Sequence, residues 1–283
     1  MPNSHYEQHS YEDPKFPVFF HLDTLTDTSL FVPHWHENPE ILYILEGEAQ
    51  VTINTESVPV RSGDIIVIPS NALHSIACSK LVRYYCLIVG LDLCLSLGLP
   101  LDQISLKRKI SNPGLCCRLD ALAKAFSERA PYYKVQALSD ILAILVDMVR
   151  NHQDPEPFNL SAAQSTRLEM LKKVFLYIEQ NYARDLTTEQ LAECAGFAKH
   201  YFCHVFKEMT GITPVNYINY IRCRKAKELL AVKGCSVSEA AASCGFTNLS
   251  YFTKTYKRYN GSLPSEASKT AEDDISLREV SIH

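Results

Sequence analysis

Three histidines and a glutamate are spaced for joint chemistry. In His34-Trp35-His36 the two histidines lie two residues apart, so in an extended chain both side chains leave the same face. Glu40 follows four residues after His36, and a third imidazole, His74, ends the run Gly63-Asp64-Ile65-Ile66-Val67-Ile68-Pro69-Ser70-Asn71-Ala72-Leu73-His74. Three imidazoles and a carboxylate suit a divalent ion such as Zn, Fe, Mn or Ni. The same groups equally suit a metal-free pocket that hydrogen-bonds an organic effector, with Tyr43 in its wall. The expected pocket is therefore His34, His36, Glu40, Tyr43 and His74, and the metal set within it is His34, His36, Glu40 and His74.

A second set of groups is suited to reading nucleic acid. Phe202 with Phe206, and Phe252 with Tyr256, sit at helical spacing and mark two buried stripes. The positions between them face outwards: Lys199, His200, Cys203, His204 and Lys207 on one helix, and Asn248, Leu249, Ser250, Thr253, Lys254 and Lys257 on the other. An asparagine can pair with adenine, a histidine can reach purine N7, and a leucine can meet a thymine methyl. The lysines neutralise phosphates and set the register.

Those two helices belong to a duplicated unit. Displaced by fifty positions, Glu189 meets Glu239, Ala192 meets Ala242, Cys194 meets Cys244, Tyr201-Phe202 meets Tyr251-Phe252, Gly211 meets Gly261 and Pro214 meets Pro264. Each copy opens with a capping box, Thr187 with Gln190 and Ser236 with Glu239, then runs through a glycine turn, Gly196 or Gly245, into a second helix over about 199–208 or 248–258. This is the pattern of a helix-turn-helix, and double-stranded DNA is the first partner it implies. A helix starting at Pro214 joins the copies and fixes the distance between the two readers.

The rest of the chain must position the histidine cluster. Short apolar runs at Ile41–Leu45, Ala49–Ile53 and Ile65–Ile68, separated by Gly47, Asn54, Pro59 and Gly63, predict a small antiparallel barrel. From Arg118 to Arg150 the period becomes helical, broken at Pro131. Its second segment is apolar over a wide face and must cover either its own barrel or a second subunit. The expected division is a sensing domain over 1–110, a helical packing or dimerisation segment over 111–152, a linker over 153–165, a DNA-binding domain over 166–270 and a tail over 271–283. The fold class is α+β multidomain, a β-barrel followed by an all-α domain.

Charge supports the division. Residues 1–165 hold 12 Lys/Arg against 19 Asp/Glu, whereas residues 166–270 hold 15 against 9. A basic half is what counterion release from DNA requires. The 10 cysteines show no CxxC spacing and read as reduced thiols. The polar N-terminus lacks the apolar core of a signal peptide, and the most apolar run, Tyr84 to Leu101, carries Asp92, two glycines and a proline. A cytoplasmic protein with no membrane span is expected.

Two resemblances sharpen this reading. His34-x-His36, then Glu40 and Gly47, with Gly63-Asp64, Pro69 and His74, resembles the paired motifs of cupins. Tyr217-Ile-Asn-x-Ile221-Arg222-x-x-Lys225-Ala226-x-x-Leu229-Leu230, then Glu239, Gly245-Phe-Thr-Asn248-x-Ser250-Tyr-Phe252, Tyr256-Lys257 and Gly261-x-x-Pro264, looks like the AraC-type transcription regulators over about 166–268. That resemblance implies two helix-turn-helix units in successive major grooves, an effector-sensing N-terminal half, a homodimer, RNA polymerase as a candidate partner, and Arg222 as a residue supporting DNA contact. It departs from the pattern at Ala198, where a hydroxyl cap is common, at Cys203, and at Ala267-Ser268. A regulator that senses a sugar or other metabolite is the leading expectation, with no catalytic residues. The alternatives are a metal-dependent cupin enzyme carried on DNA-binding helices and a regulator that needs no effector.

Overall fold

The computed structural model describes residues 13–26, 33–155, 161–231 and 235–267. The tail over 271–283 and the middle of the linker lie outside the described residues. The chain separates into two compact units, Met1–Leu168 and Glu169–His283, and the division falls within one helix.

The first unit is built on antiparallel pairing. A five-stranded sheet runs in the order β1 (Val18–Leu25), β7 (Val82–Val89), β2 (Glu40–Glu46), β5 (Ile65–Ile68) and β8 (Lys109–Ile110). A three-stranded sheet runs β4 (Glu56–Arg61), β3 (Glu48–Ile53), β6 (His74–Ala77). Alternation then assigns each side chain. Leu42, Ile44, Val51, Ile53, Ile66, Ile68, Ile76, Tyr84 and Cys86 turn inwards and form one core shared by both sheets. Gly47, between β2 and β3, has φ +87°, and a Cβ there would lie 2.2 Å from the Leu81 carbonyl oxygen. No other residue fits that corner.

The opposite face of the larger sheet carries Ile41, Tyr43, Ile65, Val67, Leu87 and Val89, and two helices cover it. α2 (Pro113–Glu128) starts on a cap in which Asn112 accepts from the N–H groups of Gly114 and Leu115. α3 (Tyr133–Asn151) presents Ala137, Ile141, Ile144, Leu145 and Met148 to the sheet. Of the two ways to satisfy the wide apolar face foreseen for 135–150, its own sheet takes the buried stripe. Between β7 and β8 lies a short helix, α1 (Leu91–Ser96).

The second unit is helical: α4 (Ala162–Asn181), α5 (Thr188–Ala195), α6 (Lys199–Thr210), α7 (Pro214–Leu230), α8 (Val237–Ser243) and α9 (Leu249–Asn260). α7 is the shared wall. Its Tyr217 stacks on Phe175 of α4 at 4.6 Å and meets Phe206 of α6 edge-on, closing the first half's core. Its Cys223, Ala226 and Leu230 join Ala240, Ala241, Phe252 and Tyr256 in the second. Glu179 of α4 ties down α7 through Arg224 and Lys225, both 3.2 Å away and largely shielded. All ten cysteines are free thiols.

Candidate functional site

The four predicted ligands meet in the first unit. His34 and His74 form a two-hydrogen-bond antiparallel bridge, His34 N to His74 O at 3.0 Å and the reverse at 2.8 Å, which sets their rings 4.1 Å apart. Glu40 enters from the start of β2. The ligating atoms of His34, His36, Glu40 and His74 all lie within 4.8 Å of one another, with His34 half-buried and the rest buried.

Backbone carbonyls fix the imidazoles. His36 Nδ1 lies 2.7 Å from the Asn38 carbonyl and His74 Nδ1 2.9 Å from the Ala72 carbonyl. A carbonyl can only accept, so each Nδ1 must be the donor, and in the neutral ring the Nε2 lone pair is turned to the other side. Both Nε2 atoms lie 2.9 Å from the same oxygen, Glu40 Oε2. Burial alone would raise the Glu40 carboxyl, but the charge of His74 and the hydrogen bond and charge of His36 outweigh it and hold it well below the usual carboxylate range. His74 Nε2 is buried without a well-aligned hydrogen-bond partner. Once the Nε2 protons are given up, two lone pairs and a carboxylate oxygen would converge on one point, with each imidazole oriented from behind by a carbonyl, an arrangement that a divalent cation would complete. Donors within 4.8 Å of each other would draw slightly closer together around an ion about 2.0–2.2 Å from each.

In the second unit, both capping boxes are present: Thr187 with Gln190 opens α5, and Ser236 with Glu239 opens α8. Gly245 has φ +80°, and a Cβ there would stand 2.7 Å from the Ala183 carbonyl oxygen, so the second turn depends on glycine for space as well as conformation. α6 exposes Lys199, His200, His204 and Lys207, with Cys203 half-buried between them. α9 exposes Leu249, Ser250, Lys254 and Lys257, with Thr253 half-buried and its hydroxyl donating to the Leu249 carbonyl at 3.0 Å. Each helix thus has one face packed by aromatics and one face of polar and cationic groups in solvent.

A helix-turn-helix domain family matches residues 191–270, and a cupin domain family matches residues 25–88. The chain is 22% identical over 263 residues to the uncharacterised HTH-type transcriptional regulator YdiP of Escherichia coli, covering 87% of this chain and 84% of that one. It is 26% identical over 249 residues to the probable transcriptional regulator LumQ of Photobacterium leiognathi, covering 87% and 94%. Among solved structures, a probable AraC family transcriptional regulator from Rhodopseudomonas palustris is 31% identical, over 36% of this chain and 97% of that one, with a TM-score of 0.35. The chain is an AraC-type transcription regulator. Relatives and domains together set aside the enzyme reading.

Within this AraC-type regulator, three expected site residues are placed differently. Tyr43 is three positions from Glu40, an odd number, so the pleat turns it to the opposite face, among the residues that pack on the helices rather than with the histidines. Asn248 is the N-cap of α9; its side-chain oxygen accepts from the Tyr251 N–H at 2.8 Å, which commits one lone pair of that oxygen to the helix and leaves its amide N–H groups for a base edge. Arg222 donates from Nε to the Tyr182 carbonyl and from Nη2 to the Arg184 carbonyl, both at 2.8 Å, and lies over the Phe246 ring. It staples the turn between α4 and α5 to α7, a positioning role.

Other participants were missed. Cys86 donates its thiol to Glu40 Oε1 at 3.2 Å, so both oxygens of that carboxylate are engaged. The signal was the period of β7: Cys86 pairs with Leu42, the inward residue two beyond Glu40. In the second unit Tyr201 and Tyr251, which were not named among the readers, are exposed on α6 and α9. Arg258 adds a third cation to α9.

Proposed function

We propose that this regulator binds double-stranded DNA by placing α6 and α9 in successive major grooves, and that its cupin unit senses a small molecule, a sugar or other metabolite, and alters that binding. The reading is carried by one observation: the two outward faces are built on matched scaffolds yet bear different side chains. Lys199, His200 and His204 on one face stand against Leu249, Ser250 and Lys254 on the other. Lysine and arginine supply the phosphate contacts, and the remaining outward residues meet base edges. Among the described residues no helix is long and apolar enough to cross a membrane, in keeping with work on DNA in the cytoplasm.

The histidine cluster supports a divalent ion as cofactor. His36 and His74 would bind it through Nε2, with His34 and Glu40 completing the set, and the bound ion would supply a Lewis-acidic point for an oxygen of the effector. Elemental analysis of the natively purified protein should find about one divalent ion per chain, reduced to background in His74→Ala; a metal-free preparation that still responds to its effector would support the metal-free pocket instead.

A homodimer is the expected working form. Val135, exposed, and Leu142 and Val146, half-buried, follow one another along the side of α3 turned away from the buried stripe, and a second copy could cover them. RNA polymerase is the partner through which a DNA-bound regulator would act. The test of the DNA reading is fluorescence anisotropy of the full chain. Binding should weaken steeply with salt, and Lys254→Ala should weaken it on every sequence; affinity indifferent to both sequence and salt would overturn it.

A further inference from the structure

The first unit holds a second candidate ligand site, away from the histidine cluster and on the other face of the larger sheet. A cavity of about 260 Å³ lies between β1 and the turn joining α2 to α3. Its wall is aromatic. Phe20 of β1 stacks with Phe126 of α2 at 4.9 Å and 28°, Tyr85 stacks behind Phe20 at 5.1 Å, and Phe16 and Tyr133 stand 6.1 and 6.0 Å from Phe126. Two cations, Arg129 and Lys134, and one carboxylate, Asp13, line the same cavity.

The turn that presents them is unusual. Arg129 has φ +45° and Tyr132 φ +66°, left-handed conformations that side chains other than glycine, asparagine or aspartate rarely adopt. Strained residues persist where surrounding structure enforces them, and they cluster at ligand sites. The cavity also shows how it receives a carboxylate. The Asp13 side chain reaches Lys134 Nζ at 2.7 Å, and that ammonium lies 5.7 Å from the Phe16 ring centre. Arg129, a planar fork suited to carboxylate, makes no ion pair among the described residues. The barrel interior, by contrast, is filled by the aliphatic core between the sheets.

We propose that this cavity binds a small planar aromatic carboxylate, its ring packed among Phe16, Phe126 and Tyr133 and its charge on Arg129 and Lys134. Aromatic faces reward a flat ring over an aliphatic one, and the cations select an acid over an amide. Because α2 and α3 pack on the outer face of the sheet, occupancy would stiffen their turn. The proposal deepens the reading of this unit as a sensor and rests on it.

The test is isothermal titration of the full chain with phenylacetate and indole-3-acetate, using cyclohexylacetate and phenylacetamide as controls, with DNA binding measured on the same samples. One saturable site is expected for the aromatic acids, with both controls weaker by about tenfold. Arg129→Gln and Lys134→Gln, both at solvent-accessible positions and so tolerated by the fold, should each weaken the acids by about tenfold, the loss of one charge-assisted hydrogen bond. No saturable binding, or equal affinity for cyclohexylacetate, or undiminished binding in both variants, would overturn the site. If DNA binding stays intact in such a case, the regulator reading survives and this inference alone falls; loss of DNA binding in the unmodified chain would instead sink the regulator reading.

Discussion

The two helix-turn-helix units invite comparison because the sequence makes them look identical and the structure does not. Their reading helices are in register: α6 starts at Lys199 and α9 at Leu249, with glycine C-caps at Gly211 and Gly261. Their support helices are not. The first capping box starts at Thr187 and the second at Ser236, forty-nine positions later, and the turn glycines, Gly196 and Gly245, show the same offset. Glu189 and Glu239 therefore match in sequence but differ in role: Glu239 closes the second capping box, whereas Glu189 pairs with Lys199 of the reading helix. The turns differ accordingly, three residues between α5 and α6 against five between α8 and α9. A duplicated sequence thus preserves the aromatic scaffold while the connection between support and reading helix differs in length.

The ends and charges of the reading helices differ too. α9 is capped by Asn248, and α6 starts at Ala198 with no side-chain cap. α9 carries Lys254, Lys257 and Arg258 and no acidic residue; α6 carries Lys199 and Lys207 against Glu208, which lies 3.8 Å from His204. The second reading helix is thus the better capped and more positively charged of the two, as firmer phosphate anchoring would require.

The largest expected effect tests what the units share. Phe202→Ala and Phe252→Ala each empty a fully buried position, and each should cost about 3–5 kcal/mol in chemical denaturation. Unequal losses would show that the scaffolds are not equivalent. Next, Gly245→Ala should lower the melting temperature clearly more than Gly196→Ala. Both glycines are left-handed, a cost of about 1 kcal/mol, but a Cβ at 196 meets nothing while one at 245 strikes the Ala183 carbonyl. Capping gives a reciprocal pair: Asn248→Ala should destabilise by about 1 kcal/mol, and Ala198→Ser should stabilise by a similar amount. Equal responses of opposite sign would tie the difference to the caps. The smallest effect is electrostatic. Lys257→Ala and Arg258→Ala should each reduce the slope of log affinity against log salt by about 1, whereas removing Lys199, already paired with Glu189, should reduce it less.

Much of this was legible in the sequence, for physical reasons that also explain the rest. The histidine cluster could be read because strand alternation and turn glycines are local rules. The same alternation turns Tyr43 away, a parity the spacing of motifs alone does not enforce. The capping boxes and aromatic stripes are local patterns, so both units could be placed. The one-residue offset was readable too, in the capping boxes and turn glycines, although an ungapped fifty-residue match passes over it. Asn248 looked like a DNA ligand because its amide suits adenine, and Arg222 because its place in the AraC-type pattern implies support of DNA contact; that backbone groups engage them depends on the Tyr182 and Arg184 carbonyls and on the entry of α9, which only the folded chain brings close.

The central claim is that two unlike faces on one scaffold read two unlike half-sites. Selection of bound duplexes from a random pool by the full chain tests it directly. The account predicts enrichment of two dissimilar elements, centred about 10 base pairs apart and always in the same order, with Lys254→Ala weakening binding without changing the order. Recovery of two identical half-sites in inverted orientation within the span of one chain, or of no preferred sequence, would contradict it.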